Sequence, residues 1–244
     1  MTSAEFPTFG FEHNMYLLAS FILWLGIPFF GRKFLTKSQQ MSAAITLIAI
    51  TLLHELQFDF FQLYIDDFDL GDDLSLHMCG LSLFISCYAL YFKSQAAFEI
   101  SYFWGIVGAS QAIFTPDPGR FTYGDISIFF NFLSHGIIIL NVFWLMIVND
   151  MRCRKGSFLN ILLISGGAVF LIGFINKFIG HNANYWFVCR QPGGDNPFLI
   201  GEWPYYLYIF AAVASILMFI IYIPMWIIVD RNEKKLIKEK NYLG

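Results

Sequence analysis

Two side chains capable of nucleophilic chemistry stand in strongly apolar sequence. Cys79 lies in LSLHMCGLSLF and His135 in IFFNFLSHGIIIL. A thiol in apolar surroundings is a poor nucleophile until a base takes its proton, and imidazole is the side chain whose protonation equilibrium suits that task near neutrality. Together they suit attack on an ester, an acyl thioester on sulfur, and transfer of the acyl group onward. The plain alternative is packing: a membrane cysteine fills a small gap and a membrane histidine bonds across helices. Asn131 precedes His135 by one helical turn, so its amide is placed to orient the ring. His77 is turned by about 200° around a helix from Cys79, so one of the two must face a neighbouring element.

Further polar groups fall at about the same level, at the ends of apolar runs. His54 with Glu55, Gln111 with Asp117, and Asn176 with Lys177, His181, Asn184 and Tyr185 are the clusters. Polar side chains inside membrane spans are costly, so a grouping of them marks a candidate site. Cys79 and His135 are therefore the catalytic candidates. His77, Asn131, His54, Gln111, Asp117, Asn176, His181, Asn184 and Tyr185 are candidates for support or substrate binding. Each has a structural reading as well: Asp117 in a helix stop, Gln111 as a bridge, Lys177 snorkelling to the interface. Cys153, beside Arg152, sits where palmitoylation is chemically reasonable. His13 and Cys87 read as background.

Apolar helices must carry these groups. The chain has 244 residues, 57% hydrophobic and only 14% charged, with 29 Phe, proportions that suit lipid rather than water. Apolar runs at roughly 14–30, 41–58, 74–92, 97–114, 128–148, 157–179 and 205–229 each approach the length that crosses a ~30 Å hydrocarbon layer. The expected architecture is all-α, a single seven-helix transmembrane domain over residues 1–244. A short external segment, 1–13, precedes it and a charged cytoplasmic tail, 230–244, follows. Of the 15 Lys and Arg residues, only Arg120, Lys177 and Arg190 lie on the side opposite the rest. By the positive-inside rule the N-terminus is expected outside and the C-terminus in the cytoplasm. Glu5 and Glu12, not basic residues, precede the first run, so a cleavable signal is not expected. Ser101, Gly105 and Ala109 at intervals of four, and Gly166, Gly173 and Gly180 at intervals of seven, suggest close helix packing.

The net charge of −3 and the lack of a basic block exclude a nucleic-acid partner. Four cysteines without CxxC spacing give neither a disulfide framework nor a zinc ribbon. Membrane phospholipids are the expected partners, with no soluble protein partner implied, and the acyl chemistry needs no cofactor and no metal.

Several segments together resemble one family. Leu74–Gly80 (LSLHMCG), Tyr102–Asp117, Leu133–Gly136 (LSHG), Asn184–Pro192 (NYWFVCRQP) and Gly201–Tyr205 (GEWPY) resemble, in order, signatures of the bacterial YwaF-type integral membrane proteins. The likeness covers roughly residues 45–225 and implies a multi-pass protein of the bacterial cytoplasmic membrane. A related eukaryotic transmembrane protein moves acyl chains between phospholipids. Its reactive Cys and His resemble Cys79 and His135, which implies a nucleophile and a general base at those positions, with His77 and Asn131 in support. Ser75 departs from the bacterial pattern, which usually has Pro there. Two alternatives stay open. One is a small-solute transporter with an external polar pocket, although no repeat and no polar path into the inner half are visible. The other is an intramembrane zinc hydrolase drawing on His54, His77, His135 and His181, although the last helix lacks the paired HxxxH of such enzymes.

Overall fold

The computed structural model describes residues 7–64, 68–116, 124, 126–180, 182–191 and 200–242. Among the described residues the chain is helical, without strands: α1 (Phe11–Phe34), α2 (Lys37–Tyr64), α3 (Met78–Phe92), α4 (Gln95–Ile100), a π-turn (Ser101–Gly105), α5 (Ile106–Phe114), α6 (Ile126–Ile147), α7 (Ser157–Ile179), a 3-10 turn (Tyr185–Phe187) and α8 (Tyr205–Tyr242). Backbone dihedrals stay in the right-handed helical region across both ends of the π-turn, so α4, the π-turn and α5 form one rod.

Local chemistry sets the helix ends. Thr36 and Gln39 cap α2 reciprocally: the Thr36 amide donates to Gln39 Oε1 at 2.9 Å and the Gln39 amide to Thr36 Oγ1 at 3.3 Å. Ser94 caps α4 by accepting from the Ala97 amide. Among the described residues four helices are long and apolar enough to cross a membrane: Phe11–Phe34, Ile126–Ile147, Ser157–Ile179 and, within α8, Tyr205–Arg231. α3 is apolar but has only 15 residues. The third expected run loses its first four residues because 74–77 form a loop held in the bundle. The last run is longer than expected: the charged stretch after Asp230, rich in the good helix formers Lys and Glu, continues α8 to Tyr242.

α6 is the central rod. Half of its most apolar window is buried, against 11% for α7, and α1, α2, α3, the π-turn and α5 all pack on it. Its ties are both polar and steric. Trp24 on α1 donates to Gly136 O at 2.8 Å, and Asn141 Nδ2 donates to Thr51 Oγ1 at 3.3 Å and Ser86 Oγ at 3.1 Å, joining α6 to α2 and α3. Without water to satisfy them, such groups bond across helices. A methyl group at Gly31 would lie 2.7 Å from the Trp144 ring, and one at Gly105 would lie 2.7 Å from Ile138 Cγ2. The small stripe of the fourth run thus packs as expected, with Ser101 and Ala109 fully buried. The glycines of α7 do not. A side chain at Gly166 would meet nothing within 4 Å, one at Gly173 only Val188 at 3.9 Å, and Gly180 (φ +66°) serves to end the helix.

Basic residues close the opposite end of the bundle from Cys79. Arg32 donates to Ile147 O at 2.6 Å and to Asp150 at 2.5 Å, and this hydrogen bond holds the Asp150 carboxyl below the usual carboxylate range. Glu99 is buried and accepts from the Arg154 amide, Nε and Nη2 at 2.8, 3.0 and 2.8 Å. Cys153, only 1% exposed, is enclosed, which removes it as an accessible palmitoylation site.

Gly105→Ala is expected to destabilise the protein by about 1–3 kcal/mol through overpacking against Ile138. Gly166→Ala, in open space, is expected to be neutral or to stabilise by up to about 1 kcal/mol through helix propensity. Thermal unfolding of the two variants in detergent reads the contrast.

Candidate functional site

The loop before α3 fixes where Cys79 begins. Tyr185, in the 3-10 turn, accepts from the Leu74 amide at 3.0 Å and donates to Leu70 O at 2.9 Å. Trp186 Nε1 donates to Leu76 O at 2.8 Å. Asn176, at the end of α7, holds that turn from behind: its Nδ2 donates to Tyr185 O at 3.0 Å and its Oδ1 accepts from the Tyr185 amide at 2.9 Å. Asn184 Oδ1 accepts from the amides of Cys189 and Arg190, both at 3.0 Å. Burial raises the Tyr185 pKa above that of an ordinary phenol. The neutral hydroxyl that bridges Leu70 and Leu74 is thus stabilising below about pH 10, and the benefit is lost only as pH rises through the raised pKa.

The loop passes close over the helix start, where a methyl group at Gly80 would lie 2.8 Å from Ser75 O. This is why α3 starts at Met78, with Cys79 in the first turn of its helix, whereas His135 is in the third turn of α6.

Helix register brings the two level by another route. Asn131 Nδ2 donates to Ala112 O at 3.1 Å, and a methyl group at Gly105 would meet Ile138. Seven residues forward along α6 therefore match seven back along the π-turn and α5, and His135 falls level with Gly108. A methyl group at Gly108 would sit 3.4 Å from Cys79 Sγ. The α3–α6 pairing agrees: Ser86 bonds Asn141, and seven residues earlier on each helix stand Cys79 and Ser134, the neighbour of His135. Cys79, Gly108 and His135 thus occupy one level where α3, α5 and α6 meet. Cys79 is partly exposed. Gly108 is the residue that sequence reasoning missed, although it lies inside the stretch quoted for its family likeness.

Hydrogen bonds assign the imidazole tautomer. His135 Nδ1 lies 2.9 Å from Asn131 O, which can only accept, so Nδ1 carries the proton and Nε2 the lone pair. Ser134 Oγ, 3.1 Å from Nδ1, also donates to Asn131 O at 3.2 Å. It is the Asn131 backbone carbonyl, not its amide, that orients the ring, because the amide is spent on Ala112.

The remaining candidates are dispersed. His77 turns away from Cys79, with Nε2 3.2 Å from Asp72 and its ring 5.0 Å from that of Tyr185 and 5.3 Å from that of Phe187. His54 lies 3.4 Å from Phe130 O, and its buried Nδ1 has no partner among the described residues. Glu55 accepts from Ser75 Oγ. Gln111 is half-buried on α5, one turn beyond Val107. Asp117 and His181 lie outside the described residues. Among the described residues no three His, Cys, Asp or Glu side chains gather as a metal site. His13, read from sequence as background, is fully buried: its Nδ1 accepts from the Phe9 amide at 2.7 Å and its Nε2 lies 2.8 Å from Ile113 O, which ties residue 9 to the end of α5.

Tyr185→Phe removes the group that satisfies both Leu70 O and the Leu74 amide. It is expected to cost about 1–3 kcal/mol, read as a lowered unfolding midpoint in detergent.

No curated protein and no solved structure matches the chain. The TMEM164 family model matches residues 8–222, which takes in every helix that contributes to this level of the bundle. A match of that extent, on a chain whose described residues are helical and include four helices fit to cross a bilayer, places it in the TMEM164 family of transmembrane proteins.

Proposed function

We propose that this membrane protein transfers acyl chains between membrane phospholipids, with Cys79 as nucleophile and His135 as general base. The observation that supports it most is the common level of Cys79, Gly108 and His135, reached independently from the α5–α6 and α3–α6 pairings. The tautomer adds to it, since Nε2 is the nitrogen that carries the lone pair. Gly108 lets the α5 backbone approach the thiol closely, since a methyl group there would lie 3.4 Å from Cys79 Sγ. The likeness to YwaF-type proteins and their acyltransferase relative rests on the short motifs alone and supports the same residues.

In this reading His135 Nε2 takes the Cys79 proton as sulfur attacks an ester carbonyl of the donor phospholipid. The tetrahedral intermediate collapses, the C–O bond breaks, and the departing lyso-lipid oxygen receives the proton from His135. A hydroxyl of a second lyso-lipid then attacks the thioester with His135 again as base. Its proton passes through the imidazole to the departing sulfur, which restores the thiol. The bundle is read as seven spans with the N-terminus external and the C-terminus cytoplasmic, following the charge separation between the ends, which puts the site near the external leaflet of the bacterial cytoplasmic membrane.

Purified protein incubated with an alkyne-labelled phospholipid is expected to acquire a hydroxylamine-sensitive label. Cys79→Ala should abolish it and His135→Ala should slow it by about 10²-fold or more. Gly108→Val, which crowds the thiol and leaves both reactive groups in the chain, should slow it as well. Undiminished hydroxylamine-sensitive label on Cys79→Ala would overturn the assignment of the nucleophile.

A further inference from the structure

At the basic end of the bundle a recess lies between α2, the end of α3 and the end of α6. It is a cavity of about 80 Å³, several times the space of roughly 10–15 Å³ that admits one water. Lys37, Gln40, Lys93 and Asn149 are its polar lining, and Met41, Leu90 and Trp144 belong to its apolar wall. This lining is graded in the same sense as a phospholipid: charge at the helix ends, hydrocarbon one turn further in.

Three observations point to an anionic occupant. Among the described residues neither Lys37 nor Lys93 belongs to an ion pair. The carboxylate within electrostatic reach of Lys37 is Asp150, which is bound to Arg32 at 2.5 Å and lies 3.9 Å from Arg152, so it does not neutralise the recess. Second, Trp144 lines the recess, and no described residue accepts from its indole N–H, an atom that is not itself fully enclosed although the residue is only 2% exposed. The other buried tryptophans, Trp24, Trp104 and Trp186, donate to Gly136 O, Ser165 Oγ and Leu76 O, each at 2.8 Å. An indole N–H at the edge of a recess is placed to donate to an occupant. Third, Lys93 ends α3 in the left-handed region (φ +51°), a position that favours glycine and costs a lysine strain.

We propose that this recess binds the phosphate-bearing headgroup of an anionic phospholipid from the leaflet at the basic end. Lys37 and Lys93 clasp the phosphate, Asn149 and the Trp144 N–H donate to its oxygens, and the first acyl methylenes rest on Met41 and Leu90. The site is remote from Cys79 and does not depend on acyl transfer.

The test is native mass spectrometry of the full-length protein released from nanodiscs of phosphatidylcholine doped with phosphatidylglycerol. One phosphatidylglycerol should be retained per chain in preference to phosphatidylcholine. Each of Lys37→Gln and Lys93→Gln should weaken retention about fivefold, at about 1 kcal/mol per lysine near a membrane surface. Lys93→Gly separates binding from folding: glycine relieves the left-handed strain, so the unfolding midpoint in pure phosphatidylcholine should hold or rise while phosphatidylglycerol retention falls. Inorganic phosphate at millimolar concentration should not displace the lipid. Equal retention of the two lipids, or undiminished phosphatidylglycerol on the Lys37→Gln, Lys93→Gln double variant, would overturn the site. Displacement by inorganic phosphate would overturn the lipid as its occupant.

Discussion

The arrangement around Cys79 depends on one hydrogen-bonded clasp: the Tyr185 hydroxyl set between Leu70 O and the Leu74 amide, with the Trp186 indole on Leu76 O. A loop drawn into an apolar bundle has backbone groups that water no longer satisfies, and each unsatisfied one costs more than a made bond gains. The clasp supplies those partners, and Asn176 fixes the clasp through two bonds to Tyr185. Because the loop is held in, α3 starts at Met78, and because Gly80 has no side chain, Ser75 can cross above it. The position of the thiol is thus set by residues more than a hundred positions downstream.

This explains which parts of the molecule are legible in the sequence. Periodicity and hydropathy delimit helices well where a run is apolar from end to end: the sixth run, expected at 157–179, is α7 to the residue. They fail where a segment is apolar but held by tertiary bonds. LSLHMCG reads as the beginning of a span because its loop residues are as apolar as its helix residues. Asn176, Asn184 and Tyr185 illustrate the same limit for sites. Costly polar residues in lipid-facing sequence mark a place that matters, yet these three hold backbone, and nothing in their spacing separates that role from contact with a ligand.

Gly108 shows the converse. A glycine inside a helix gives no chemical signal, and only the pairing of α5 with both α3 and α6 gives it meaning. The tautomer of His135 is similarly invisible before folding, since the deciding acceptor is the carbonyl of Asn131 and not its side chain. The charge asymmetry, by contrast, is plain in both: Arg32, Lys37, Lys93, Arg152 and Arg154 collect at one end and Asp69, Asp72 and Asp73 at the other.

The π-turn between Ser101 and Gly105 governs the azimuth of everything after it. Winding the same residues as ordinary α-helix would swing the following segment by about 100°. Gly108 would then leave its place beside the thiol, and Ala112 would no longer meet Asn131. A homologue one residue shorter at this point would run as uninterrupted α-helix and keep its small residue in the same place, so an alignment that opens the gap elsewhere would pair non-equivalent side chains.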